Sequence, residues 1–301
     1  MSRLTQLLIG FAALCAILPG AANAMAGDRE VARVVSFGGA CAKCELSGRK
    51  LVGVEFNGAN FSEATLVGSD LRDASFVGSN FVKADLTRAD LSNSEMFGAN
   101  FSAAILVDLR AQSVEARGAV FAGADLTRGD LRNLEGQGAN FARATLLSAQ
   151  LSGSELQGAN LTRVDARLAS FRDSELQGAT MAGGRFDRAT FRNSNLAGAN
   201  LSGGTFAGSD FRNASLRRAN LSGTDLSKAV GLDQDQIDSA CGDAMTRLPA
   251  GLDVHHCNRG TIHFTGMSSV PKAPRVMPAM PQPPAPPATS AAPRYLVAAD
   301  D

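Results

Sequence analysis

The 301-residue chain carries 29 basic and 29 acidic side chains, so its formal net charge is zero, and a surface so balanced argues against a protein that acts as a polyanion. With 45% apolar residues, no Trp and a single Tyr, the composition is that of a folded chain. Beyond the first 24 residues no segment is apolar for long enough to span a bilayer, which argues against a helical membrane protein.

Residues 1–24 combine Arg3, an apolar run from Leu7 to Leu18, Pro19-Gly20 and Ala22-Asn23-Ala24. A short apolar run behind a basic residue and ahead of an A-x-A site predicts a secretory signal peptide, cleaved after Ala24. The expected location is periplasmic or secreted. Leu14 is a poor residue before a lipidated cysteine, which argues against lipidation at Cys15.

Residues 25–44 are expected to cap the open end of the fold that follows. Val31, Arg33 and Val35 alternate with Ala32, Val34 and Ser36, as an added strand would. Cys41-Ala42-Lys43-Cys44 closes the segment. A thioredoxin-type redox pair needs a thiol at a helix N-terminus in a βαβ setting, which the surrounding sequence lacks. A c-type haem site needs His where Glu45 stands, and a zinc site built from Cys41, Cys44, Cys241 and Cys257 would draw on opposite ends of the chain's central segment. A structural disulfide or a pair of buried thiols remains.

Residues 45–229 repeat every five residues. From Leu46 to Leu226 each fifth residue is Leu, Phe or Met, except Ala111, Ala116, Gly136 and Ala166. Two residues earlier runs a second row, mostly Ala, Ser or Gly. Where the large row shrinks, this small row grows to Leu109, Val114, Leu134 and Val164. Volume is thus held constant within a unit, as a close-packed interior demands. A period of five loses phase with both helix and flat strand. The triplet Gly58-Ala59-Asn60 returns at Gly98-Ala99-Asn100, Gly138-Ala139-Asn140, Gly158-Ala159-Asn160 and Gly198-Ala199-Asn200, always a multiple of 20 later. Four units therefore make one coil of a solenoid with roughly nine coils, stacked about 4.8 Å apart.

Ala89-Asp90-Leu91-Ser92-Asn93, Ala159-Asn160-Leu161-Thr162-Arg163 and Ala219-Asn220-Leu221-Ser222-Gly223 resemble the A-(D/N)-L-x-x pattern of the pentapeptide repeat proteins. The resemblance implies an all-β fold, a right-handed quadrilateral β-helix with both rows facing inward. It implies little about activity. Some members are thought to mimic duplex DNA and so protect a topoisomerase. The neutral charge and the signal peptide both argue against that role here, and no nucleic-acid partner is expected.

On the outward positions, Gly58, Gly78, Gly98, Gly138, Gly158 and Gly198 fall where a corner would use positive φ. The column Asn60, Asn80, Asn100, Asn140, Asn160, Asn200 and Asn220, interrupted by Val120 and Thr180, is expected to bond along the axis or to turn backbone. Arg172, Arg192 and Arg212 share a column and form a candidate anionic-ligand face, unless Asp173, Asp210 and other carboxylates neutralise them.

Residues 230–260 lose the five-residue phase. Asp233 with Gln236 predicts an N-cap, and Ile237, Ala240 and Cys241 give one apolar face, so a short helix over the last coil is expected. Cys241 and Cys257 suit a disulfide. Cys241-Gly242-Asp243 to Leu252 also resembles the segment that follows the repeat in exported relatives. Residues 261–301, rich in Pro and Ala, are expected to form a disordered tail. No catalytic constellation, cofactor site or metal site is expected: mature His is confined to positions after the repeat, and His255, His256 and Cys257 lack a second ligand pair. The reading is a non-catalytic exported scaffold that binds a protein or envelope polymer through one face. The alternative is a thiol-redox or other enzymatic role at the terminal cysteines.

Overall fold

The computed structural model describes residues 39–257. The predicted signal peptide, the strand expected around Val31 to Ser36 and the tail 261–301 lie outside the described residues.

Backbone hydrogen bonding explains why five residues make a unit. In the unit Asn80 to Ala84, the Asn80 N–H donates to the Ala59 carbonyl (2.9 Å) one coil earlier. Phe81 and Lys83 donate to the Asn100 and Ser102 carbonyls (2.7 and 3.0 Å) one coil later, and Ala84 closes a turn on the Phe81 carbonyl (3.0 Å). The remaining N–H, on Val82, donates to Asn80 Oδ1 (3.1 Å). Every donor is used, four by backbone and one by a side chain two residues back. The asparagine column thus serves mainly its own turns. Axial bonds also occur, from Asn80 Nδ2 to Asn60 Oδ1 (3.2 Å) and from Asn220 Nδ2 to Asn200 Oδ1 (3.3 Å).

Parallel bridges join residues 20 apart from Ala40 with Asn60 to Asp210 with Val230, without a slip. The result is a four-sided β-helix. Its ladder already includes Ala40 and Cys41, one unit ahead of Leu46. The second turn residue of every unit from Lys43 to Gly223 has positive φ, between 54° and 72°. Only that residue of each turn is left-handed, as a type II turn requires. The conformation expected at glycine corners is therefore universal. It is imposed on Asn93, Arg143 and even Leu168 (φ 62°) because the ladder on either side fixes the turn.

Both rows face inward and are buried from Phe56 onward, while the small-row positions of the first coil, Cys44, Arg49 and Val54, are half-buried. Phe61, Phe81, Phe101, Phe121 and Phe141 stack with ring centroids 4.7–5.2 Å apart, which is the coil spacing. Leu109, Val114, Leu134 and Val164 are buried beside the small residues they compensate. A small apolar void lined in part by Leu109, Ala111, Val114 and Leu134 marks where the exchange fills space incompletely. Most serines in the small row are satisfied, as Ser154 and Ser174 hydroxyls donate to the Leu131 and Leu151 carbonyls (3.0 and 2.7 Å), whereas the buried Ser94 hydroxyl has no partner among the described residues.

At the C-terminal end, α1 (Gln234–Asp238) carries the predicted capping box, with Asp233 Oδ1 accepting from the Gln236 N–H (2.9 Å) and Gln236 Oε1 accepting from the Asp233 N–H (2.9 Å). Gln236 Nε2 then donates to the Phe211 and Ala214 carbonyls of the last coil (3.0 and 2.7 Å), and Ile237 is buried. The cap is more than this helix. Cys241 and Arg247 continue the ladder opposite Asn220 and Asp225, with offsets lengthened by the inserted turn. Asp243 Oδ1 accepts from the Gly223 N–H (2.8 Å), replacing the missing coil. The edge that would otherwise template association is thereby covered.

Candidate interaction sides

The structure pairs Cys41 with Cys44 and Cys241 with Cys257. The first disulfide spans the first turn, where the Cys44 N–H donates to the Cys41 carbonyl (3.2 Å), and Cys41 heads the column that continues as Phe61. The second ties Cys257 back to the last ladder rung. In the chain-entropy model a loop of this size contributes about 3 kcal/mol. His255 and His256 lie near this end, His255 Nε2 being 3.9 Å from Asp238 Oδ1. Among the described residues no three His, Cys, Asp or Glu side chains gather as metal ligands.

Arg172, Arg192 and Arg212 follow bridging residues Ser170, Thr190 and Asp210 on one side of the rod. Arg212 forks on Asp210, with Nε 2.9 Å from Oδ1, and Arg192 Nε approaches the same carboxylate at 3.9 Å. The Arg212 hydrogen bonds hold the Asp210 carboxyl below the usual carboxylate range. Arg132, two coils earlier, forks on Asp130 in the same way (Nε to Oδ1 2.8 Å). Asp173 accepts from Asn193 Nδ2 (2.8 Å) instead of taking an arginine. Of the three expected guanidinium groups, Arg172 is the one without an ion pair among the described residues.

A stronger charge column stands on another side and was not anticipated from sequence. Glu95, Glu115, Glu135, Glu155 and Glu175 bridge in succession over five coils. Arg117 pairs with Glu135 and lies over the Phe97 ring (5.6 Å), while Gln137 and Gln177 donate to Glu155 and Glu175. The turn beside them is glycine on every coil from Gly98 to Gly198, and a Cβ at Gly98, Gly138 or Gly178 would have no heavy atom within 4 Å. Zero net charge therefore hides a one-signed column, met on its side by Arg117, because composition does not record where charges lie. The signal was present as the same twenty-residue step applied to Glu.

A family model described as pentapeptide repeats matches in eight copies between residues 41 and 230. A search of curated proteins finds no match. Among solved structures, the chain is similar to HetL of the cyanobacterium Nostoc sp. strain PCC 7120, a protein involved in heterocyst differentiation regulation, at 28% identity over 69% of this chain and 92% of that one, with a TM-score of 0.38. QnrB1, a plasmid-mediated fluoroquinolone resistance protein, is 23% identical over 65% and 92% (TM-score 0.35). A pentapeptide repeat protein of the Arabidopsis thaliana thylakoid lumen is 27% identical over 41% and 68% (TM-score 0.26). With its β-helix in place and the family's repeat matched through most of the chain, this protein belongs to the pentapeptide repeat family, whose fold is the right-handed quadrilateral β-helix.

Proposed function

We propose that the protein is an exported, non-catalytic scaffold that binds a protein or an envelope polymer along an outer side of its β-helix. The filled interior carries this reading. Both inward rows are buried from Phe56 to Ala229, so over that stretch a partner has only the outer sides to engage. Those sides present side chains in straight columns one coil apart, a geometry suited to an extended partner.

Export is supported by the N-terminal leader pattern and by the chemistry of the cysteines. Four of the chain's five cysteines stand in two disulfides, which persist in oxidising compartments, and the fifth, Cys15, lies in the leader. An exported protein would not meet cytoplasmic nucleic acid or topoisomerase.

Cell fractionation with mass measurement of the purified chain tests the location: a periplasmic or secreted species beginning at Met25 is expected, and an unprocessed cytoplasmic one would refute export. A periplasmic pull-down with the full chain and with residues 261–301 removed then seeks the partner. Thiol titration separates the redox alternative, because a reactive low-pKa thiol in the mature protein would favour it over the scaffold.

A further inference from the structure

Most arginines of the rod have a carboxylate. Arg72, Arg117, Arg128, Arg132, Arg167 and Arg212 each hold one at hydrogen-bond distance. Among the described residues Arg88, Arg143, Arg163, Arg172, Arg188, Arg217 and Arg218 form no ion pair, and of these only Arg143 and Arg163 follow one another one coil apart. They occupy the same turn position on successive coils, at φ 60° and 56°, and neither forms an ion pair among the described residues. The acids of the adjoining bridging column are committed elsewhere: Asp165 is forked by Arg167 (2.7 Å) and approached by Arg185 (3.8 Å), and Asp125 accepts from the Thr127 N–H (3.0 Å) and hydroxyl (2.5 Å).

The two guanidinium groups flank a shallow trough floored by Ala122, Gly123 and Ala142 and closed by Asn160 and Thr162. No carboxylate lines it. Asn160 spends its Oδ1 on the Thr162 N–H (3.0 Å), so what it has left to offer is its amide N–H2. Two cations one coil apart, about 4.8 Å at the backbone, repel each other unless a negative charge sits between them. The column on either side is small, with Gly123 before and Gly183 after, and the Arg163 stem lies over Gly183, its Cγ 3.5 Å from where a Cβ would stand.

We infer that Arg143 and Arg163 form a binding site for a phosphate- or sulfate-class oxyanion, with Asn160 and Thr162 as neutral donors. Planar guanidinium forks match such groups in geometry as well as charge. The site goes beyond the scaffold reading and stands whether or not the chain is exported.

The test uses the purified full chain at low salt, with inorganic phosphate followed by calorimetric titration and phosphatidylglycerol vesicles followed by co-sedimentation. The variant Arg143→Gly with Arg163→Gly suits the turn, because glycine already fills this position at Gly123 and Gly183, and a melting curve confirms that it folds. At least about a tenfold loss of affinity is expected in the double variant. Arg143→Lys with Arg163→Lys should fall between, and Arg132→Gln, at an arginine already forked on Asp130 on another side, should bind as the parent does. Loss confined to phosphate identifies a free anion as the ligand, and loss confined to vesicles identifies a lipid headgroup; either supports the site. Parent and double-glycine variant binding both probes equally, or neither binding at all, would overturn it.

Discussion

Leu134 and Gly136 show volume being set one side chain at a time. A Cβ built on Gly136 would lie 3.2 Å from Leu134 Cδ2 and 3.0 Å from Leu156 Cδ2, so Leu134 occupies the space that a larger residue at 136 would need. Gly136→Leu alone should overpack and cost about 1–3 kcal/mol, whereas adding Leu134→Ala should recover most of the loss. Urea midpoints decide this, and simple additivity of two losses would contradict the exchange. The sequence disclosed the exchange because both partners sit in one unit. It did not disclose strain at Leu168, which is 50% exposed yet held at φ 62°. Asparagine tolerates that region, as Asn93 and Asn133 do on other turns. Leu168→Asn should therefore raise stability by about 0.5–1 kcal/mol, read as a higher urea midpoint at unchanged slope.

At the scale of the element, many turns work because a bridging Asn or Asp supplies the acceptor that the ladder cannot. Thr87, Ser92 and Thr127 take it from Asp85, Asp90 and Asp125, as Val82 does from Asn80. The glutamate column fills the same bridging position on another side without that service, since no glutamate from Glu95 to Glu175 is recorded capping its turn. What it does impose is repulsion between adjacent coils, of order 1 kcal/mol per pair in water and less in salt. Glu115 is the clearest case, with glutamates above and below and Arg117 turned to Glu135. Glu115→Gln should raise the melting temperature at low ionic strength, and the gain should fade at about 1 M salt. A variant that melts lower at every salt concentration would show that this carboxylate contributes a bond rather than a burden.

For the whole molecule, stability is a sum over stacked coils, and its pH dependence follows from the carboxylates that the coils hold ionised. Asp70, Asp130, Asp165 and Asp210 are all lowered, first by hydrogen bonds from Arg72, Arg132, Arg167 and Arg212. A depressed folded pKa stabilises above the unfolded value, and that contribution disappears as pH falls through the folded one. Stability should accordingly hold from pH 7 down to about 4 and decline below it, steeply enough to follow by circular dichroism. Arg132→Gln should lower stability at pH 7 and make the decline below about pH 4 shallower, because the Asp130 carboxyl then returns toward its unfolded value. A loss already complete at pH 5 would mean that other groups govern acid unfolding.

By itself the sequence determined the rows, the twenty-residue coil, the compensated core and the capped end, because a strictly periodic chain repeats the same local demand at every step. The Asp233 and Gln236 capping box was equally legible, being contained in four residues. Only the tertiary structure decided the balance of charges. Asp210 serves Arg212 and Arg192, Asp165 serves Arg167 and Arg185, and Arg143 and Arg163 are left without a carboxylate. The physical reason is reach. Arg167 and Arg212 take the carboxylate two residues back, but which of these is also shared with Arg185 or Arg192 from the adjacent coil, and which arginine is left with none, depends on side-chain distances between coils that a linear spacing does not specify.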